Sequence, residues 1–267
     1  MTYHVPVLLA ESIEGLNIRP DGTYVDLTYG GGGHSRHILE RLGKKGKLYA
    51  FDQDEDALTN ASDDKRFTLI RGNFKYFRNF LRYYNVAKVD GILADLGVSS
   101  FHLDTPERGF SFRFEGPLDM RMNKRASLTA KKVVNSYSIE ELSLIFNQLG
   151  ELPDGRRYAQ AIYDGRKVKQ LETIEELTQI LKPLVPAKLQ NKVLAKIFQA
   201  LRIEVNHELD ALKLMLVGSA KCLGREGRLV VISYHSLEDR LVKNFLKFGN
   251  FEGEDRPDLM GNRVVPF

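Results

Sequence analysis

Four glycines in a row, Gly30 to Gly33, stand between an aspartate, Asp26, and the pair His34-Ser35. Such a run lets the backbone reach φ values that a Cβ forbids, and lets a ligand lie directly against main-chain N–H groups. A second carboxylate, Asp52, follows at about the distance downstream where a ribose-binding acid is expected. A third, Asp95, closes a later apolar run. Together these residues describe a pocket for a nucleoside cofactor. The dinucleotide fingerprint G-x-G-x-x-G needs its third glycine for close helix–strand packing. Here Gly30 and Gly32 are followed by Ser35, and Gly31 and Gly33 by Arg36, so that glycine is missing in both registers. An acid just before the loop also sits badly beside a pyrophosphate and suits a cationic ligand. The pattern therefore favours S-adenosylmethionine over a nicotinamide dinucleotide.

The elements that must position these residues are legible around them. Tyr24, Val25 and Leu27 lead into the loop as a strand, and Ile38, Leu39 and Leu42 leave it as a helix that Gly43 stops. Further strands are predicted at Lys47 to Phe51, Phe67 to Ile70 and Val89 to Ala94, with helices beginning at Asp54 and covering Phe77 to Tyr84. Alternation at this spacing means an α/β fold, a parallel sheet with helices on both faces. Ligands on such sheets bind at the carboxyl ends of the strands, where Gly30 to His34, Asp52, Phe74 and Asp95 all fall. After Asp95 the pattern changes to a loop rich in aromatics and arginine. Two capping boxes follow, Ser138-x-x-Glu141 and Thr173-x-x-Glu176, each opening a helix. One long amphipathic helix is predicted from Lys192 to Leu223, stopped at Gly224, before a strand from Arg228 to Ser233. The expected division is a discontinuous cofactor domain, residues 1–105 and 195–267, with a small helical domain, 106–194, inserted in it.

Composition agrees with a globular protein: 43% of the 267 residues are hydrophobic and 28% charged. No apolar run approaches the roughly 20 residues of a membrane span, so no membrane partner is expected. The first residues lack the basic start and apolar core of a signal peptide. A single cysteine, Cys222, excludes an internal disulfide and a multi-cysteine metal site. The expected location is the cytoplasm, and no feature sets an oligomeric state. His34 and His37 lie three apart, but no carboxylate or cysteine set joins them, so no metal is expected. The net charge is +4, and residues 106–192 hold 15 Lys and Arg against 11 Asp and Glu, which is the whole excess. Basic clusters at Arg156-Arg157 and Arg166-Lys167-x-Lys169 suit a polyanionic partner.

Seven motifs carry a family likeness. They are His4-Val5-Pro6-Val7, Gly32-Gly33-His34-Ser35, Asp95-Leu-Gly-Val-Ser-Ser100, Arg108-Gly-Phe-Ser-Phe112, Pro117-Leu-Asp-Met-Arg-Met122, Phe198-Gln-Ala-Leu-Arg-Ile203 and Ile232-Ser-Tyr-His-Ser-Leu-Glu-Asp-Arg240. Over nearly its whole length the sequence resembles the bacterial small-subunit ribosomal RNA cytosine-N4 methyltransferases (RsmH, also called MraW). The resemblance implies a Rossmann-like class I methyltransferase with an inserted helical domain. It implies methyl transfer from S-adenosyl-L-methionine to the exocyclic N4 amine of a cytidine in the decoding region of 16S rRNA, with the small ribosomal subunit as partner. By motif, the implied cofactor contacts are Gly32, Gly33, His34, Asp52, Phe74, Asp95 and His102. At His102 the family usually has glutamine, and at Asn123 aspartate. The family's sequences also continue with an Arg- and Asn-rich segment whose last residues read as a strand, whereas this sequence stops at Val264-Val-Pro-Phe267, so an incomplete sheet edge is the expectation.

The chemistry this implies is mainly positioning, because the methyl donor is already activated. The cytosine amine is a poor nucleophile. An acceptor such as the Asp95 carboxylate, or a carbonyl nearby, could hold its lone pair toward the methyl group, or Asp95 could serve only the cofactor. A base taken out of its stack is held against an aromatic face; Tyr234 and His235 are the first candidates, followed by Phe110 and Phe112. The basic insert is expected to carry RNA affinity. Two rival readings are a nicotinamide dehydrogenase, opposed by the missing glycine, and a catalytically silent RNA-binding protein, which has no need of Gly32, Asp52 and Asp95 together.

Overall fold

The computed structural model describes residues 6–257, 265 and 266. The chain begins α1 (Leu9–Leu16), β1 (Thr23–Asp26), α2 (Gly33–Arg41), β2 (Lys47–Asp52), β3 (Phe67–Arg71), α3 (Phe77–Tyr83) and β4 (Val89–Asp95). Six helices follow: α4 (Ser100–Asp104), α5 (Ala130–Ser136), α6 (Ile139–Gln148), α7 (Gly155–Val168), α8 (Ile174–Leu181) and α9 (Gln190–Asn206). The chain then continues through α10 (Glu208–Cys222), β5 (Leu223–Ile232) and α11 (Ser236–Phe248). It divides into two compact units, one of Met1–Gly97 with Leu209–Phe267 and one of Val98–Glu208.

The first unit is a five-stranded, wholly parallel sheet in the order β3-β2-β1-β4-β5. Period-two alternation sorts its residues between two faces. Tyr24, Leu48 and Leu93 point to the face covered by Ile13 and Leu16 of α1 and Ile38 and Leu39 of α2. Val25, Tyr49, Phe51 and Ile92 point to the other, with Phe77 and Leu81 of α3, Leu212 and Met215 of α10 and Phe245 of α11. The chain winds outward from β1 through β2 to β3, then returns to β4 on the other side of β1. The order therefore reverses between β1 and β4, which opens the crevice where such sheets bind ligands.

The second unit is helical and has its own core, including Leu142, Phe146, Ile162, Leu177, Leu181, Ile197 and Leu201. Both capping boxes form. Ser138 Oγ accepts from the Glu141 N–H at 3.1 Å while Glu141 accepts from the Ser138 N–H at 2.7 Å. Thr173 and Glu176 repeat the exchange. The unit starts at Val98 rather than 106 and runs to Glu208 rather than 194. The reason is α9, which buries Leu194, Ile197, Phe198, Leu201 and Val205 in this core; a boundary at 194 would cut a helix from its own packing.

The long helix expected from Lys192 to Leu223 is two helices. The chain breaks at His207, whose φ is 50° and whose N–H caps α9 on the carbonyls of Glu204 and Ile203. The apolar periodicity runs on through the break, so hydrophobic pattern alone could not reveal it. A left-handed conformation strains any residue with a Cβ. His207→Gly is therefore expected to stabilise the protein by roughly 0.5–1 kcal/mol in chemical denaturation; a loss would mean the imidazole itself holds the junction.

Two other elements differ from expectation. The helix predicted from Asp54 is a 3-10 turn, Asp56–Asn60. There the Asp52 and Asp54 carboxylates accept the N–H groups of Asp54 and Asp56, which competes with α-helical bonding. The last strand begins at Leu223, not Arg228: Leu223 pairs with Val89 and Arg228 with Gly91, and the residues between bulge out. Among the described residues, no helix is long and apolar enough to cross a membrane.

Candidate active site

The four glycines serve two different purposes. A Cβ on Gly32, whose φ is +74°, would lie 2.7 Å from the Tyr29 hydroxyl, and one on Gly33 would collide with the Pro6 ring. These two are required by packing. Beside Gly30 and Gly31 there is no atom of the described residues within 4 Å of where a Cβ would be. These two leave open space for a ligand against the backbone, and the sequence had singled out the other pair. The lead-in motif closes over the loop: Pro6 covers Gly33, and the Val7 carbonyl lies 3.1 Å from His34 Nε2. His4 and Val5 lie outside the described residues.

Carboxylates flank this opening at the ends of three strands. Asp52 accepts the Gly30 N–H on Oδ2 and the Asp54 N–H on Oδ1, each at 2.8 Å. It therefore ties the glycine loop to the end of β2. Asp26 is only 1% exposed. Its Oδ2 accepts the Ser35 hydroxyl at 2.7 Å and its Oδ1 the Thr28 N–H at 3.1 Å. Thr28 Oγ1 in turn accepts the Asp95 N–H at 2.7 Å, which carries the brace across to β4.

Burial pushes the Asp26 carboxyl above the ordinary carboxylate range, against the opposing pull of Ser35 and Thr28. With the folded pKa raised, the native state holds the proton more tightly than the unfolded chain. This group's contribution to stability is thus greatest in acid and falls as pH rises through the window between the unfolded and folded values. Asp26→Asn is expected to raise the melting temperature at pH 7 and to flatten stability across that window. A lower melting temperature would show that the anion's hydrogen bonds outweigh its burial.

Asp95 closes β4 at the switch point. Tyr234 Oη donates to Asp95 Oδ1 at 2.8 Å, and His34 Nδ1 lies 3.8 Å from Asp95 Oδ2. Burial pushes Asp95 upward, while the Tyr234 hydroxyl and His34 oppose it and Glu238 adds to it. Burial and the bond to Asp95 push the Tyr234 phenol up as well. The Tyr234 ring lies against Gly97, where φ is +95° and a Cβ would sit 3.2 Å from the ring. Glu238, which sequence reasoning missed, fixes the Tyr234 backbone by accepting its N–H at 2.9 Å. Tyr234 itself is 53% exposed and can offer its ring to a ligand.

His235 differs from its expected role. Its side chain is almost wholly buried; Nδ1 accepts the Glu238 N–H as the cap of α11, and Nε2 lies 3.3 Å from Glu238 Oε1. It secures the helix behind Tyr234 and presents no face for a base. Phe74 is half-buried at the end of β3, beside Asn73, whose amide donates to Gln53 at 2.9 Å.

In the second unit, His102 is buried and stacked on Phe110, ring centroids 4.7 Å apart and planes 27° from parallel. Phe112 meets Phe198 edge-on at 5.5 Å. Both phenylalanines serve that unit's core. His37 turns back to the Gly33 carbonyl, 3.0 Å away, while His34 faces Val7 and Asp95. Cys222 is a core residue whose thiol burial pushes up to about 11. Of the insert's basic clusters, Lys167 pairs with Asp164 at 3.0 Å, Lys169 with Glu176 at 2.5 Å, and Arg156 lies 3.8 Å from Glu140.

The motifs around this site recur in known proteins. The chain is 58% identical over 267 residues to the Ribosomal RNA small subunit methyltransferase H of Bacteroides thetaiotaomicron, covering 100% of this chain and 88% of that protein. The protein of the same name in Phocaeicola vulgatus is 60% identical over 265 residues, 99% of this chain and 87% of its own. That of Flavobacterium johnsoniae is 55% identical over 267 residues, 100% and 88%. Residues 1–258 match the profile described as the MraW methylase family. A match that takes in both units, the glycine loop and Tyr234 alike, leaves no part of the site outside it: the chain belongs to the MraW methylase family.

Proposed function

We propose that this protein methylates the exocyclic N4 amine of a cytidine in the decoding region of 16S rRNA, with S-adenosyl-L-methionine as donor and the small ribosomal subunit as partner. The observation that carries the reading is the open face of Gly30 and Gly31 between the carboxylates of β1, β2 and β4, in a chain alike over its full length to small-subunit rRNA methyltransferases.

The residues present fit the donor. Space that a Cβ would fill lies open beside Gly30 and Gly31, and acidic strand ends suit a ligand carrying positive charge. Bound there, S-adenosyl-L-methionine supplies an activated methyl group. Asp52, oriented by two backbone N–H groups at the end of β2, is the carboxylate placed to meet the ribose hydroxyls. Tyr234 holds Asp95 Oδ1, which leaves Oδ2 to accept an N–H of the cytosine amine and take up the proton that the amine loses. Burial helps here, because a carboxylate pushed upward is a better proton acceptor at neutral pH. The exposed Tyr234 ring offers a face for the unstacked base. Gly32, Gly33, His34 and Phe74 shape the loop and strand ends around the donor.

Asp52→Ala is expected to cost roughly 1.5–3 kcal/mol of donor affinity, since hydrogen bonds to a charged group are lost. Calorimetry giving unchanged affinity in a folded variant would remove Asp52 from the site. The functional reading is tested by incubating unmethylated small subunits with methyl-labelled donor and identifying the modified nucleoside by mass. N4-methylcytidine is the expected product. Label in another nucleoside, or none from folded protein that binds the donor, would overturn it.

A further inference from the structure

Helix α3 buries one side in a way that fixes what its other side presents. Phe77 and Leu81 are buried, and Phe77 and Phe80 meet Phe51 edge-on, with ring centroids 6.4 and 5.9 Å apart. A 3-10 turn, Phe74–Tyr76, leads into α3, and spacings of three and four residues through the turn and the helix give two neighbouring rows on its other side. One row is Lys75, Arg78 and Arg82; the other is Tyr76, Asn79 and Tyr83. Tyr76 is 50% exposed and Tyr83 79%, and the Lys75 ammonium lies 5.0 Å from the centre of the Tyr76 ring.

The charge along this stretch of chain is one-sided. Residues 72–89 contain four basic residues and no Asp or Glu. Lys88 is engaged, donating to the carbonyls of Lys221 and Leu223 at 3.3 and 3.1 Å. Lys75, Arg78 and Arg82 form no ion pair among the described residues. The contrast is with the insert, where Lys167 and Lys169 already have carboxylate partners. Chain-wide charge counts hid this face, because acids elsewhere in the first unit balance it.

We propose that this face of α3 is a docking surface for a single-stranded segment of the RNA substrate, a proposal that rests on the function given above. Single-strand binders combine cations that follow the backbone with aromatic rings on which bases stack. The two rows supply that combination side by side. They also start in the right place: Lys75 and Tyr76 follow Phe74 in the turn after β3 and α3 begins at Phe77, so the rows lead away from the candidate active site along the flank of the sheet. The cationic row takes phosphates, and Tyr76 and Tyr83 take bases.

Two variants separate these roles, measured by the binding of fluorescent single-stranded polyuridylate across a range of salt. In Lys75→Gln/Arg78→Gln/Arg82→Gln, the slope of log affinity against log salt is expected to fall by about 2, since each phosphate contact on a single strand contributes about 0.7. In Tyr76→Leu/Tyr83→Leu, affinity is expected to fall about tenfold per ring with the slope unchanged, because leucine keeps apolar area but cannot stack. Calorimetric donor affinity should match wild type in both. Unchanged RNA affinity and slope would overturn the proposal, as would a parallel loss of donor affinity, which would assign α3 to fold support. Polyuridylate binding kept while affinity for small subunits is lost would assign the face to a ribosomal protein and also overturn it. The functional reading fails differently, through wild-type protein that leaves small subunits unmethylated.

Discussion

Asp95→Asn is expected to lower the turnover of methyl transfer by about two to four orders of magnitude, the usual contribution of a positioned proton acceptor. Donor affinity should stay within about tenfold of wild type if the carboxylate works on the base. Tyr234 donates to Asp95 Oδ1 at 2.8 Å, and an amide can accept that bond, so the variant should keep the local arrangement. If donor affinity falls and turnover at saturation survives, Asp95 serves the cofactor alone. The pH profile gives a second reading. Burial raises Asp95, so the acid limb of the rate should lie above the ordinary carboxylate range. The Tyr234 hydroxyl opposes that shift by stabilising the anion. Tyr234→Phe removes the donor while keeping the ring, so Asp95 should rise further and the limb should move to higher pH. A limb that stays in place would mean that the titrating group is not Asp95.

The second large effect concerns Gly31. A Cβ there meets no atom of the described residues within 4 Å, and its φ is not in the left-handed region. Gly31→Leu is therefore expected to leave unfolding free energy within about 0.5 kcal/mol of wild type. It should nevertheless fill the space where the donor lies and lower its affinity more than about a hundredfold, or about 2.7 kcal/mol. Gly33→Ala is the contrasting case, because its Cβ would collide with Pro6 and the loss should appear in stability. Calorimetry and thermal melting on both variants check the pair. Donor affinity unchanged in Gly31→Leu would place the ligand elsewhere.

The sheet and the place where its chemistry collects were legible along the chain. Period-two alternation in Val89–Asp95 and in Lys47–Asp52 fixes which residues face each helical layer, and glycines with terminal aspartates mark the carboxyl ends. Both capping boxes were legible too, because a Ser or Thr with a Glu three residues on is a local, self-contained exchange of hydrogen bonds. Helices α4, α5, α7 and α11 were missed. α7 begins with Gly155 and carries Gly165, residues that weaken a local helix signal, and its stability comes from burying Tyr158, Ala159 and Ile162.

Other features depend on contacts between residues far apart in the chain, which no local pattern encodes. Tyr234 reaches Asp95 only because β5 lies beside β4. His235, by type as good a base platform as Tyr234, is withdrawn because Glu238 engages both its nitrogens' surroundings and the start of α11. The four glycines look alike in sequence, yet Pro6 and Tyr29 make two of them packing requirements, while two face open space. The same holds for charge: counting placed the positive excess in the insert, but tertiary pairing occupies Lys167 and Lys169 and, among the described residues, leaves Lys75, Arg78 and Arg82 without carboxylates. Sequence fixes which groups are available, and packing decides which of them remain free to meet a ligand.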